Sequence, residues 1–228
     1  MRIGGQGRLF RHLLLAGAAL VLTGCSSRPD WMYQQYFQLM RQSIAARFGD
    51  QHVSREDAAA IPYASLGYRV NGGPQVLLVL ASDTGGELLW TAKSHVVILT
   101  QAGRIIRTVG LPHDVAGVTP QGGHVLPPLA QALRGPVSSM RFADFPDAGA
   151  YGVALACVAA TAGPQTITIL GTAIQTIRVD EKCTSDKLRW SFVDNYWIDP
   201  QSGLVWRSVQ HIHPRGETVE TEIFRPPG

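Results

Sequence analysis

The stretch that decides the fold is Trp190–Val209, WSFVDNYWIDPQSGLVWRSV, which predicts two antiparallel strands joined by a tight turn. In a strand, side chains two residues apart lie on the same face. Large residues occupy one face at Leu188, Trp190, Phe192, Tyr196 and Ile198, and the other face at Val193 and Trp197. In the turn, Pro200 sets φ and Gly203 accepts the left-handed conformation. Large residues on both faces predict a central strand that is covered on each side.

An earlier stretch, Trp90–Val109, aligns with Trp190–Val209 without a gap. Trp, Ile, Gln, Gly, Arg and Val coincide between the two, and Thr pairs with Ser twice. Many registers are available for such an alignment, so chance similarity is the alternative to an internal duplication. A duplication predicts two repeated hairpin units, each with a long strand, a Gly-containing turn and a returning strand.

Strand-like segments continue on both sides of these hairpins, over about 64–118 and 151–224. Residues 119–150 are rich in Pro and Gly and are predicted to be a linker, with one helical turn at Leu129–Leu133. Ser54 is typical of the N-cap of a short helix that Pro62 stops. The predicted fold is mainly β, an antiparallel curved sheet, half-barrel or sandwich over 64–228, preceded by a short N-terminal helical segment over 30–63.

The N-terminus has the pattern of an export signal. Arg2, Arg8 and Arg11 precede a short apolar run that ends at Leu22-Thr23-Gly24-Cys25. That order resembles the bacterial lipobox, which implies a lipoprotein signal peptide over 1–24, acylation of Cys25 and a lipidated tether over 25–29. An ordinary signal peptide with a chance cysteine is the alternative. Ser26 follows, where an aspartate would resemble an inner-membrane retention signal, so the resemblance implies an outer-membrane anchor that faces the periplasm.

Charge excludes one class of partner. The chain has 20 basic and 17 acidic residues, and removal of Arg2, Arg8 and Arg11 with the signal leaves 17 of each. A nucleic-acid partner or a polybasic membrane surface requires a positive patch that this balance does not provide.

The remaining cysteines, Cys157 and Cys183, form an even pair in an exported chain, which predicts a disulfide. Two buried free thiols are the alternative.

Motifs for catalysis are not evident. The sequence has no Gly-x-Ser-x-Gly elbow, no P-loop and no His-Glu-x-x-His helix, so no catalytic residue and no cofactor is predicted. Asp83, Asp194 and Asp199 are carboxylates of the type used in sugar chemistry, but turn and edge roles are favoured. His211 and His213 are spaced for one strand face, yet without a third ligand nearby an exposed pair is favoured and no metal site is predicted.

Aromatic residues are the remaining candidates for binding. Tyr196, Trp197 and Trp206 are candidates for sugar or partner contacts if their rings are exposed, whereas inward packing is the usual fate of aromatic residues on strands.

Several segments resemble one known family, the group 4 capsule polysaccharide lipoproteins (YjbF/GfcB-like). The resemblance is carried by Leu78–Ala81, Trp90, Gly103–Leu111, Ile169–Gly171, Val179–Cys183, Asn195–Asp199 and Gly203–Gln210. It implies a lipoprotein of the outer membrane that acts in production or export of a capsule or exopolysaccharide, with a curved, half-barrel-like β fold. It supplies no catalytic residues.

Two functions follow as hypotheses. The first is a non-catalytic accessory or scaffold that works with an outer-membrane β-barrel and contacts the emerging polysaccharide. The second is a periplasmic carrier that holds an acyl chain or a lipid-linked saccharide in the concave sheet. An apolar, lidded concavity would favour the carrier, and a flat sheet or a polar groove would favour the scaffold.

Overall fold

Alternating apolar side chains and Gly-containing turns build twelve β-strands in the computed structural model, which describes residues 52–228. The predicted signal peptide over 1–24, Cys25 and residues 30–51 of the predicted helical segment lie outside the described residues. The strands are β1 Ser65–Val70, β2 Val76–Thr84, β3 Glu87–Thr91, β4 Val97–Gln101, β5 Arg104–Val109, β6 Gly117–Pro120, β7 Val137–Phe145, β8 Ala150–Ile169, β9 Thr172–Ser185, β10 Trp190–Ile198, β11 Val205–His211 and β12 Thr218–Arg225.

Two short helices accompany the strands, α1 at Arg55–Ala59 and α2 at Leu129–Ala132, with a 3-10 turn at Pro146–Ala148. The side chain of Ser54 accepts a hydrogen bond from the Asp57 amide, which satisfies one free donor at the start of α1. The short helix after Ser54 and the helical turn near Leu129 are therefore confirmed. Within residues 52–228, no helix has both the length and the apolar character needed to span a membrane.

All twelve strands belong to one antiparallel sheet with the order β5-β4-β3-β2-β1-β12-β11-β10-β9-β8-β7-β6. The sheet curves until its two end strands meet. The amide of Thr108 at β5 donates to the carbonyl of Val115 just before β6 (2.9 Å), and Nε of Arg107 donates to the carbonyl of Ala116 (2.8 Å). The predicted mainly β, antiparallel, curved sheet is thus confirmed as a nearly closed, barrel-like sheet, not as a sandwich of two sheets.

The hairpin β10–β11 forms as predicted. Tyr196 pairs with Ser208, and Asp199 holds the turn by accepting hydrogen bonds from the amides of Gln201 (2.7 Å) and Ser202 (3.1 Å). Strand β10 lies between β9 and β11, so it is a central strand. Its inward face is buried from Phe192 to Ile198, whereas its other face is covered at Trp197 but open at Val193, which is 41% exposed. Phe192 faces the main core, and Trp197 packs with Ile167 and Ile169 on the opposite face. The predicted cover on both faces is therefore confirmed only in part.

The first copy of the repeat departs from the prediction. Strand β3 ends at Thr91 and β4 begins at Val97, so a turn interrupts what was expected to be one long strand. The second half of the copy is the hairpin β4–β5, whose turn glycine, Gly103, corresponds to Gly203 in β10–β11. Both glycines have positive φ, +78° and +75°.

The predicted linker over 119–150 is wrong in its second half. It contains β7, a nine-residue strand that pairs with β8 from Val137 to Phe145. The polar run Ser138-Ser139 obscured this strand in the sequence. Pairing with the long strand β8 stabilises β7 more than its own residues do, which is tertiary context overriding local preference.

The main core fills the barrel between its walls. Its largest fully buried side chains include Trp90, Leu66, Leu78, Ile98 and Phe145. A second cluster contains Tyr196, Ile198, Val205 and Leu126. Charged side chains lie between these apolar groups, and they position the candidate site.

Candidate functional site

A disulfide joins Cys157 on β8 to Cys183 on β9, which are direct partners in the antiparallel register. Both cysteines are buried. The prediction made from the even cysteine count is confirmed. The bond ties the two longest strands together beside the charged interior.

The three predicted contact residues occupy different environments. Tyr196 is 0% exposed and Trp197 is 8% exposed, so neither ring offers a free face. Their polar atoms are satisfied internally, since Tyr196 Oη donates to Gln210 and Trp197 Nε1 donates to Gln165. Trp206 is partly exposed and lines an open cleft. Trp206 is therefore the member of this set that a ligand can reach in the described part of the chain.

That cleft, which we call the Trp206 cleft, has a volume of about 370 Å³. Its apolar wall comprises Trp206, Ile223 and Phe224, and Arg55 and Arg225 line it as well. Arg55 donates to the hydroxyl of Thr172 (3.3 Å) and to the carbonyl of Leu170, which fixes α1 against the β8–β9 turn. An indole beside guanidinium groups is a surface on which a sugar ring can stack and a carboxylate can pair.

Inside the barrel, two arginines and two carboxylates form a closed charge network. Glu181 Oε2 accepts from Arg104 Nη2 (2.6 Å) and Arg141 Nη1 (2.6 Å). Asp194 Oδ2 accepts from Arg141 Nη2 (3.2 Å) and lies 3.8 Å from Arg104 Nη1. All four side chains are at least nine-tenths buried, and their charges cancel. We call this the Arg104–Asp194 network.

Period two explains how Asp194 enters the barrel. It lies between Phe192 and Tyr196 on the inward face of β10, so the turn or edge role that was favoured for Asp194 is wrong. Its second oxygen accepts from the amide of His211 (2.7 Å). Asp83 and Asp199 do have turn roles, since Asp83 accepts from the Gly86 amide (3.1 Å) and Asp199 caps the β10–β11 turn.

The electrostatics of the network favour its charged form. Burial disfavours ionisation of Glu181, but the guanidinium groups of Arg104 and Arg141 outweigh burial and hold the pKa of that carboxyl below its usual value. Burial raises the pKa of the Tyr196 hydroxyl well above its usual value, so Tyr196 stays a neutral donor. The Arg104 guanidinium stacks over the Tyr196 ring at 5.4 Å. The Arg104–Glu181 pair is thereby held in its charged form.

Little free space surrounds the network. The cavity bounded by Arg104, Arg141, Asp194 and Trp190 holds only about 20 Å³, which is room for about one water. An acyl chain therefore does not fit at the centre of the barrel. A larger concavity of about 460 Å³ opens where the β2–β3, β4–β5 and β10–β11 turns meet, and its apolar lining includes Leu66, Leu88, Trp90, Leu204 and Ile223.

The predicted exposed histidine pair is wrong. His211 is 27% exposed and contacts Asp194, whereas His213 is fully buried beyond the end of β11 and contacts Asp147 through Nε2 (2.9 Å). The two rings therefore have separate carboxylate partners. His213 instead stacks on His113, with ring centroids 4.8 Å apart.

Reasoning from the sequence missed Arg104, Arg141 and Glu181. A signal was present for Glu181, a charged residue that shares one strand face with Val179 and Cys183 at period two. Arg104 directly follows the turn at Gly103, where a charged residue is usually exposed. Only the curvature of the sheet brings these side chains together.

The fold and site define a small, mainly β domain whose interior is filled by apolar residues and paired charges. The chain belongs to the family described as group 4 capsule polysaccharide lipoprotein, gfcB, YjbF, whose model matches residues 40–224. The resemblance inferred from the sequence is thereby confirmed.

Relatives from Escherichia coli K12 support this membership. The chain is 25% identical to the uncharacterized lipoprotein GfcB over 219 residues, which cover 95% of this chain and 99% of GfcB. It is 28% identical to the uncharacterized lipoprotein YjbF over 173 residues, which cover 75% of this chain and 79% of YjbF. The crystal structure of the hypothetical lipoprotein YmcC has the same fold, with a TM-score of 0.65 at 22% identity, over 82% of this chain and 95% of YmcC.

Proposed function

We propose that this protein is an outer-membrane lipoprotein that faces the periplasm and assists production or export of a capsule or exopolysaccharide without catalysing a reaction. The observation that carries the proposal is that residues 40–224 match the family described as group 4 capsule polysaccharide lipoprotein. The filled barrel supports an accessory role, because its charged side chains neutralise one another instead of converging on an open cavity.

The proposed anchor is the acylated Cys25. Each buried methylene contributes about 0.8 kcal/mol to membrane binding, so two or three chains on one residue hold a protein stably where one chain does not. The named relatives GfcB and YjbF are lipoproteins, which supports this anchor. Ser26 in place of aspartate supports the outer membrane as its destination.

The proposed partner is an outer-membrane β-barrel of a polysaccharide export system, and the proposed surface for the saccharide is the Trp206 cleft. Its indole supplies a stacking face, and Arg55 and Arg225 supply positive charge for an acidic sugar. The chain after Cys25 has 17 basic and 17 acidic residues. The positive charge in this cleft is therefore local and does not belong to a wide positive surface.

Deletion of the gene tests the function. We expect loss of surface polysaccharide in the deletion strain and recovery with the wild-type gene. Copurification of the acylated protein from crosslinked membranes should recover an outer-membrane β-barrel. Unchanged surface polysaccharide after deletion would overturn the proposed function.

The cleft is tested separately in the same strain. When strains are compared at equal protein level, Trp206→Ala should lower the amount of surface polysaccharide, because a stacking face is lost. Tyr63→Ala removes an aromatic ring that is 66% exposed and lies outside the cleft, so it serves as the matched control. Equal polysaccharide in the two variants would remove the cleft from the proposal.

The apolar concavity of about 460 Å³ at the β2–β3, β4–β5 and β10–β11 turns favours a second candidate function. This function is that of a carrier for an acyl chain or lipid-linked saccharide. Native mass spectrometry of the protein purified from membranes should then show a bound lipid that Leu88→Arg eliminates. Leu133→Arg, at an exposed leucine outside the concavity, is the control. A wild-type protein without such an adduct would exclude the carrier.

A further inference from the structure

Four side chains from three separate connections converge at one end of the barrel. His113 lies between β5 and β6, Asp147 lies between β7 and β8, and His213 and Glu217 lie between β11 and β12. His213 is fully buried, Glu217 is 9% exposed, and the side chain of His113 is 24% exposed. Neither the charge network nor the proposed function uses this group, which we call the His113–His213 cluster.

The two imidazoles stack nearly in parallel, with an interplanar angle of 17°. Their Nδ1 atoms both approach Glu217: Oε1 contacts His113 Nδ1, and Oε2 lies 3.7 Å from His213 Nδ1. Their Nε2 atoms both approach Asp147, at 2.9 Å for His213 and 3.8 Å for His113. Glu217 therefore contacts the Nδ1 edge of both rings, and Asp147 contacts their Nε2 edge.

Both Nδ1 atoms have hydrogen-bond partners, whereas one oxygen of Glu217 has none among the described residues. When His213 Nε2 donates its proton to Asp147, the Nδ1 of the neutral ring carries a lone pair, and the Arg215 amide donates to that Nδ1 (3.1 Å). Among the described residues, no donor bonds to the buried Oε2 of Glu217. A buried carboxylate oxygen without a donor is unfavourable, and a bound cation would relieve this cost.

We propose that His113, His213 and Glu217 bind a divalent transition-metal ion of the zinc type through two Nδ1 atoms and a carboxylate oxygen. One ligand atom from each of these residues lies within 4.8 Å of the others. Zinc bonds of about 2.0–2.2 Å require only a modest inward rotation of the side chains. Three protein ligands leave the fourth position for water or for a group from a partner.

Asp147 has the position of a residue that orients metal ligands. It accepts the Nε2 proton of His213 and faces Nε2 of His113, so it favours the tautomer in which Nδ1 carries the lone pair. A bound metal would replace the Arg215 amide as the partner of His213 Nδ1, and it would replace the hydrogen bond between His113 Nδ1 and Glu217. Arg215 Nη1 lies 3.3 Å from the second oxygen of Asp147 and fixes this carboxylate in turn. The metal would join the β5–β6 and β11–β12 connections, and binding to the folded state would raise the unfolding temperature.

Zinc titration of the tag-free, acylated protein in detergent, after chelator treatment and dialysis, tests this proposal. We expect one zinc ion per chain and a higher unfolding temperature with zinc. Glu217→Gln and His113→Gln should each weaken zinc affinity by roughly 100-fold, and Asp147→Asn by roughly 10- to 100-fold. His124→Gln, at an exposed histidine outside the cluster, should bind zinc as the wild type does.

Absence of zinc binding to the wild type would overturn the proposal, as would equal affinity in Glu217→Gln, His113→Gln and His124→Gln. Because a variant in this cluster can fail to fold, cobalt(II) is added to the wild type as an independent probe. Its electronic absorption should show the intense ligand-field bands of a four-coordinate site. A spectrum of six-coordinate aqueous cobalt would also overturn the proposal.

Discussion

Arg104 Nη2 donates to Glu181 Oε2 at 2.6 Å across the interior of the barrel, although 77 residues separate them in sequence. Arg104 begins β5, the strand at one end of the sheet, and Glu181 lies on β9, near the other end. Across the junction of β5 and β6, the amide of Thr108 donates to the carbonyl of Val115, the amide of Val115 donates to Oγ1 of Thr108, and Arg107 donates to the carbonyl of Ala116. The ion pair therefore helps to hold the curved sheet nearly closed where a full backbone ladder does not.

Removal of one charge from this network should be costly. Glu181→Gln leaves Arg104 and Arg141 buried with only Asp194 as a counter-charge, and we expect a loss of about 3–5 kcal/mol in the free energy of unfolding, measured in urea. Asp180→Asn, one residue earlier, affects a half-exposed pair with Arg178 and should cost less than about 1 kcal/mol. Similar losses in the two variants would contradict a bracing role for the network.

The same carboxylate should make the protein sensitive to acid. The folded-state pKa of Glu181 lies below its ordinary value of 4.5, so the unfolded state takes up the proton first as the pH falls. The contribution of Glu181 is complete above pH 4.5 and is lost as the pH falls from there through the folded-state pKa. Urea unfolding from pH 6 to pH 3 should show a shallower decline for Glu181→Gln than for the wild type. Parallel curves would contradict this assignment.

The two turn glycines provide a matched pair. Gly103 and Gly203 have similar positive φ, so alanine costs roughly 1–2 kcal/mol of backbone strain at either position. A Cβ at Gly103 would also collide with the side chain of Val205, whereas one at Gly203 has no atom within 4 Å. Gly103→Ala should therefore lower the free energy of unfolding by more than Gly203→Ala does. Equal losses would show that the two hairpins do not pack closely.

The disulfide should stabilise the domain by restricting the unfolded chain. Cys157 and Cys183 are 26 residues apart, for which the chain-entropy model gives roughly 3–4 kcal/mol. The double variant Cys157→Ala/Cys183→Ala should unfold at lower urea concentration than the oxidised wild type. Reduced wild type should behave like the double variant. A midpoint that is the same in all three samples would contradict the prediction.

The elements that could be predicted are those whose signal is local. Aromatic residues at period two identified β10 as a central strand, and Asp199 with Gly203 identified its turn. The charge network could not be predicted, because Arg141 lies in a segment with the local composition of a linker. Its pairing with Glu181 depends on which strands become neighbours. A turn or edge role was predicted for Asp194 although it lies between Phe192 and Tyr196 on the inward face of β10, and its arginine partners come from β7 and β5.

The cluster around His113 was missed for a related reason. The sequence placed His211 and His213 together, and this spacing drew attention to the wrong pair. His113 is 100 residues from His213 along the chain, and the closure of the barrel brings their rings together. Contacts between connections at one end of a curved sheet depend on strand order, which periodicity does not determine.

The most direct test of the central claim compares Ser26→Asp with Ser26→Ala in the deletion strain, with surface polysaccharide as the readout. An aspartate after the lipidated cysteine resembles an inner-membrane retention signal, so Ser26→Asp should keep the acyl chains but move the protein away from the outer membrane. We predict that Ser26→Ala restores surface polysaccharide and that Ser26→Asp, retained in the inner-membrane fraction, does not. Full restoration by inner-membrane Ser26→Asp would contradict an accessory role at the outer membrane.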